Sequence, residues 1–193
     1  MRVAGPVTLA SRNDGKRREL EALAAGTIHL TLLPDEAPEV VEDGATYLDN
    51  ARKKALSAAR FTGGLALADD SGLEVDALGG APGVRSARFG GPGLDDAGRH
   101  RRLLAELGDR ADRRARFRCV LVLTDGDTAV SAEGVLEGEI AREPRGAGGF
   151  GYDPVFLPDC FPGRTLAEVA ASEKNRVSHR AEALRALLSK LTA

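Results

Sequence analysis

The chain has 193 residues, enough for one domain with a sizeable core, or for one core with a small added lobe. Its 27 basic and 29 acidic residues leave a formal net charge of -2, so it lacks the basic excess by which proteins neutralise the phosphates of DNA or RNA. Cys119 and Cys160 lie far apart and match no disulfide framework or zinc pattern. No secretory apolar region or run of membrane-spanning length is seen, and the chain reads as soluble and cytoplasmic, with neither nucleic acid nor membrane as a partner.

Aromatic residues supply only 4% of the chain, so its core must rest on Leu, Val and Ala. Val7–Ala10 is a short apolar run, predicted as a strand, that ends in the polar loop Ser11–Gly15. Leu20, Leu23 and Ala24 then fall at helical spacing. A second strand is expected over Ile28–Leu33, ended by Pro34, and the acidic segment Asp35–Gly44 reads as an exposed loop. Thr46-Tyr47-Leu48-Asp49 resembles a capping box with Asp in place of Glu, which predicts a helix from there to about Arg60, stopped by Gly63-Gly64.

Leu65–Ala68 is the next apolar run, and it carries Asp69-Asp70-Ser71-Gly72 at its end. Ala97–Leu107 is predicted helical, capped by Asp95 or Asp96. The arginines between Arg99 and Arg118 interleave with acidic residues and read as a solvated surface. Arg116–Thr124 and Ala129–Ile140 are expected as antiparallel strands about the turn Asp125-Gly126-Asp127. A last helix is expected over about Val177–Leu191. Helix crossovers mixed with a hairpin predict an α/β fold on a mixed sheet, within a single domain over residues 1–193.

Five segments could carry chemistry. The loop Ser11-Arg12-Asn13-Asp14-Gly15-Lys16 sits between strand and helix, where outward-facing N–H groups suit an anion, although it is not a Walker A loop. Taken alone, the segment reads as a helix cap with a surface lysine ahead of an anion site. Asp69 and Asp70 are costly to bury together without a cation, and a hard divalent ion on phosphates uses one or two carboxylates; an exposed acidic turn is the competing reading. Glu42 is a further candidate metal ligand or a solvated loop charge, and Asp49 reads as a cap. Phe150, among the glycines of Gly149–Asp153, offers a face on which a base can stack, or packs inward at a bend. Lys174, His179 and Arg180 can reach a base edge or phosphates, or lie on a basic helix start.

Together these motifs resemble the inosine/xanthosine triphosphate pyrophosphatase family. The likeness is carried by Leu9–Lys16, Ala68–Leu78, Gly79–Val84 with Ser86-Ala87-Arg88, Gly149–Phe156 and Glu173–Ala181, in the family's order. The resemblance implies an α/β fold with a mixed central sheet flanked by helices, two lobes with the active site in the cleft between them, and a homodimer. It implies that Ser11, Arg12, Asn13, Asp14, Gly15 and Lys16 contact the triphosphate of a deaminated purine nucleotide (ITP, dITP or XTP). Asp70 would be the general base, and Asp70 with Glu42 would bind Mg²⁺. Ser71 would bind substrate, and Phe150, Gly151, Tyr152, Asp153, Lys174, His179 and Arg180 would form the base side of the pocket. The expected products are the monophosphate and pyrophosphate.

Two positions depart from the family pattern. Arg85 replaces an aromatic, which bears on the dimer or the cleft wall, and Asp49 replaces a glutamate, which weakens a ligand role there. The rival readings are a pyrophosphatase for dTTP and UTP, which the Ser178-His179-Arg180 motif opposes, and a nucleotide sensor without turnover, which the retained Asp70 opposes.

Overall fold

A computed structural model describes residues 5–24 and 26–192 of the chain. It is an α/β fold. Six strands, β1 (Val7–Leu9), β2 (Leu30–Leu32), β3 (Ala66–Val75), β4 (Arg114–Thr124), β5 (Ala129–Ile140) and β6 (Phe156–Pro158), form one sheet in the order β2-β1-β3-β4-β5-β6. The helices are α1 (Asp14–Ala24), α2 (Tyr47–Thr62), α3 (Asp96–Leu107), α4 (Ala171–Val177) and α5 (His179–Thr192). The sheet is mixed: β1 runs parallel to β2 and β3, with Leu9 opposite Leu32 and Leu67, while β5 and β6 are antiparallel. Parallel neighbours need a crossover, and α1 supplies the one between β1 and β2.

Local chemistry sets many of the boundaries. Thr46 caps α2 and accepts from the Asp49 N–H, while the Asp49 carboxylate accepts from the Thr46 N–H, so the capping box forms with Asp in the acidic position. Gly63, at φ 67°, closes the same helix in the left-handed conformation that a side chain resists. Asp95 caps α3 through the Gly98 N–H. At the turn between β4 and β5 the Asp125 carboxylate accepts from the N–H groups of Asp127 and Thr128.

The expected end of the third strand needs correction. The strand holding Asp69 and Asp70 does not stop before them but continues to Val75, so both carboxylates stand inside a ten-residue strand. The last helix forms within two residues of its expected bounds, as α5, and a separate short helix, α4, precedes it, ended by Ser178 at φ -64° and ψ 151°. Lys174 therefore lies on a helix of its own. An apolar stripe predicts helix, but nothing in it marks a single extended residue between two helical runs.

The fold comprises two compact units, each with its own core. One contains the described residues up to Asp70, Cys119–Gly134 and the chain from His179; the other contains Ser71–Arg118 and Val135–Ser178. In the first, Val7, Leu9, Leu20, Leu30, Leu67, Leu121, Leu123, Leu184 and Leu187 pack together. Gly134 keeps β5 close to the start of α5, since a Cβ there would lie 2.2 Å from the His179 carbonyl. In the second, Leu73, Val75, Leu103, Leu107, Phe117, Tyr152 and Phe156 form the core, with the Phe117 and Phe156 rings 4.7 Å apart. Arg113, expected on the surface, is instead buried and bonds the carbonyls of Gly108, Ile140 and Ala141. Among the described residues no helix is long and apolar enough to cross a membrane.

Candidate active site

In the first unit the loop after β1 is built as a helix entry. Asn13 Oδ1 accepts from the Lys16 N–H at 3.1 Å, and Ser11 Oγ accepts from the Asn13 N–H at 3.1 Å. These bonds aim the first turn of α1 and leave Lys16 free to reach inward, where its Nζ lies 2.9 Å from Asp69 Oδ1. Arg12 bonds the carbonyls of Asp35 and Ala37 and ties the acidic loop to this entry. Asp14 pairs with Arg17 and Arg18, and Gly15 is exposed. Of this loop, only Ser11, Arg12 and Lys16 line the cavity described below.

Consecutive strand residues point to opposite faces, so Asp69 and Asp70 do not share one environment. Asp69 is 2% exposed and meets Lys16 on one side and the Arg180 guanidinium, 3.2 Å away, on the other. Arg180 is itself buried and also donates to Glu19 at 2.7 Å. Burial opposes the charge on Asp69, but Lys16, Arg180 and Lys54 outweigh it and hold the carboxyl far below its usual range. Arg180 is shifted up by the same carboxylates in spite of its burial.

Asp70 has the opposite balance. Its Oδ1 accepts from Lys54 Nζ at 3.0 Å and its Oδ2 accepts from Asn50 Nδ2 at 3.1 Å, both from α2. Burial is the largest influence on this carboxyl and raises its pKa; Lys54 and Asn50 pull it down, and Glu42 adds to the rise. Asn50 is fully buried, and its Oδ1 accepts from the Gly44 N–H at 2.8 Å, so one amide links the end of the acidic loop to Asp70. Glu42 Oε1 lies 3.3 Å from the same Lys54 ammonium. Lys54 thus stands between two carboxylates, and its pKa is raised, the carboxylates around it outweighing burial.

A cavity of about 220 Å³ opens beside these groups, lined by Ser11, Arg12, Lys16, Glu42, Lys54 and Asp69 among others. Its polar lining combines two ammonium groups, a guanidinium, two hydroxyls and carboxylates, groups suited to a polyphosphate with its metal. Among the described residues no cluster of three or more His, Cys, Asp and Glu could hold a metal alone. The pair Glu42 and Asp70, converging on one cation, fits a hard ion that keeps water and phosphate oxygens as its other ligands.

The second unit holds the aromatic segment. Asp153 is buried; its Oδ2 accepts from Lys174 Nζ at 2.6 Å and from the Phe150 N–H at 2.9 Å. Phe150 is 46% exposed, with the Lys174 ammonium 4.6 Å from its ring centroid. Gly149 has φ 72°, and a Cβ on it would lie 2.1 Å from Asp153 Oδ2. Tyr152 is buried, and its hydroxyl donates to the Ser86 carbonyl at 2.9 Å, so it holds the segment rather than facing solvent. Ser71 is half-buried on β3, and Arg85 is exposed on the turn Gly83–Arg88.

The fold therefore gathers Lys16, Glu42 and Asp70 with Lys54 in one unit, and Phe150, Asp153 and Lys174 in the other. His179 is buried at the start of α5, and the Arg180 guanidinium is taken up by Asp69 and Glu19, a placement the sequence did not suggest. Sequence reasoning missed Asn50, Lys54, Glu19 and the separate role of Asp69. One signal was available: Asn50 and Lys54 are four apart, polar residues on a helix face whose neighbours Ala51, Ala55 and Ala58 are buried.

The model of the Ham1 family matches residues 7–190. A dITP/XTP pyrophosphatase of Thioalkalivibrio sulfidiphilus is 50% identical over 96% of this chain and 97% of its own length. One of Methylococcus capsulatus is 51% identical over 97% and 96%. The solved structure of a HAM1 protein from Coxiella burnetii superposes with a TM-score of 0.87 at 43% identity, covering 98% of this chain and 99% of that one.

Proposed function

The chain belongs to the Ham1 family, and from that premise we propose that it hydrolyses deaminated purine nucleoside triphosphates (ITP, dITP and XTP) to the monophosphate and pyrophosphate. The observation that carries this reading is the pairing of a buried, pKa-raised Asp70 with Lys54 and Glu42 beside a cavity lined by both cations and carboxylates. A base must hold a proton long enough to take it from water and release it near neutral pH, and a raised carboxyl suits that task.

Asp70 accepts the proton of the water that attacks the α-phosphorus. Asn50 and Lys54 fix its two oxygens, so the lone pair is aimed before substrate arrives. Lys16 and Lys54 present positive charge to the phosphate chain, and Ser11 adds a hydroxyl. Mg²⁺ held by Glu42 and Asp70 would offset the charge that builds on the leaving pyrophosphate. Phe150 offers its face to the purine and Lys174 an ammonium to the 6-keto oxygen, which adenine lacks. Ser71 contacts substrate, and residues 1–193 form a single pyrophosphatase domain. The family resemblance extends the reading to a homodimer in the cytoplasm.

Steady-state pyrophosphate release from ITP, XTP, dITP, GTP, ATP and dTTP, with Mg²⁺ and with EDTA, tests the proposal. Mg²⁺-dependent turnover of the first three well above the rest is expected. Tight binding of ITP with no pyrophosphate would replace it with a sensor, and preference for dTTP would reassign the base pocket.

A further inference from the structure

Beside its own bond from the Phe150 N–H to Asp153 and the Tyr152 anchor, the aromatic segment is held by α3. The Gly151 N–H donates to Asp96 Oδ2 at 3.0 Å, and the Gly151 carbonyl accepts from His100 Nε2 at 2.6 Å. Both polar groups of one peptide residue are thereby taken up by two side chains four residues apart on the first turn and a half of α3. The carbonyl can only accept, so His100 carries its proton on Nε2. Gly151 itself sits at φ 57°, a left-handed conformation, and its neighbours are the exposed Phe150 and the buried Tyr152. His100 is buried, and its ring lies 5.9 Å from that of Tyr152.

We propose that Asp96 and His100 are positioning residues for base recognition: they clamp Gly151 and so fix the height and tilt of the Phe150 ring and the N–H of Phe150 on Asp153. This rests on the reading of Phe150, Asp153 and Lys174 as the base pocket. A glycine-rich run has many conformations to lose, and without the clamp a base would have to order it on binding. The cost would then appear in substrate affinity. It would not appear in the chemical step, because Asp70, Lys16 and Lys54 lie on other elements.

The test uses the full chain as wild type and as His100→Ala, His100→Gln and Asp96→Ala. It combines ITP and ATP kinetics with amide hydrogen exchange at residues 149–152. His100→Ala should raise KM for ITP about tenfold, the scale of one part-buried hydrogen bond, and Asp96→Ala, whose bond is exposed, by about threefold, each with kcat within about twofold and faster exchange at Gly151. His100→Gln should restore most of the affinity, because its amide reaches the same carbonyl. Should His100→Ala fail to fold, Asp96→Ala remains, its side chain being 57% exposed. An active wild type with unchanged KM in the alanine variants overturns the clamp, as does a glutamine variant no better than alanine. A wild type inactive on ITP overturns the base-pocket reading instead; Gly151 exchange that stays slow in both alanine variants would then overturn the clamp by itself.

Discussion

The ammonium of Lys54 lies 3.0 Å from Asp70 Oδ1, with both side chains almost wholly withdrawn from solvent. A buried carboxylate would ordinarily take a proton, and an isolated buried ammonium would lose one. Each keeps the other charged, while burial still leaves Asp70 above its ordinary pKa. The pair is therefore a charged site for phosphate and metal whose carboxylate is a stronger base than an ordinary aspartate.

Asp70→Asn removes the proton acceptor and keeps the shape. Turnover of ITP should fall by about 10²- to 10⁴-fold, with circular dichroism unchanged. A well-folded variant with near-normal pyrophosphate release would remove Asp70 from the role of base.

Lys54→Met takes away the largest influence that lowers the Asp70 pKa. Asp70 works as the carboxylate, so activity is present above its pKa and lost as pH falls through it. Without Lys54 that pKa rises further, and the acid limb of the kcat/KM profile should move to higher pH, along with a loss of phosphate affinity. An acid limb left in place would show that another group sets it.

Asp69→Asn should be a stability variant. It leaves Arg180 buried with Glu19 as its remaining carboxylate partner, and breaking such a pair costs about 3–5 kcal/mol. The sign of the pH effect follows from the lowered pKa of Asp69: its contribution is present above the unfolded value, near 3.8, and is lost as pH falls toward the folded one. Urea unfolding of the wild type should thus show stability declining below about pH 4, with a smaller decline in Asp69→Asn. Equal slopes would assign the acid loss elsewhere.

Gly149→Ala places a Cβ 2.1 Å from Asp153 Oδ2 at a φ of 72°, so the carboxylate must move or the loop must shift. Either change breaks its contacts with Lys174 and the Phe150 N–H. KM for ITP should rise about tenfold or more, and the preference for ITP over ATP should narrow, as it should in Lys174→Ala. Normal kinetics in Gly149→Ala would show that the segment repacks without consequence.

What the sequence determined by itself was local. The Thr46–Asp49 capping box, the Gly63 stop, the Asp95 cap and the turn at Asp125 depend on groups within four residues of one another, and each formed as expected. The family motifs carried Asp70 and Lys174 for the same reason: they are contiguous strings. Only the tertiary structure decided what those residues meet. Whether Asp69 and Asp70 end a strand or run through its middle depends on cations 16, 53 and 111 positions away in the chain, Lys54, Lys16 and Arg180. No local propensity encodes such distances. A buried charge is permitted only where packing delivers its partner, and packing delivered a different one to each face of the same strand.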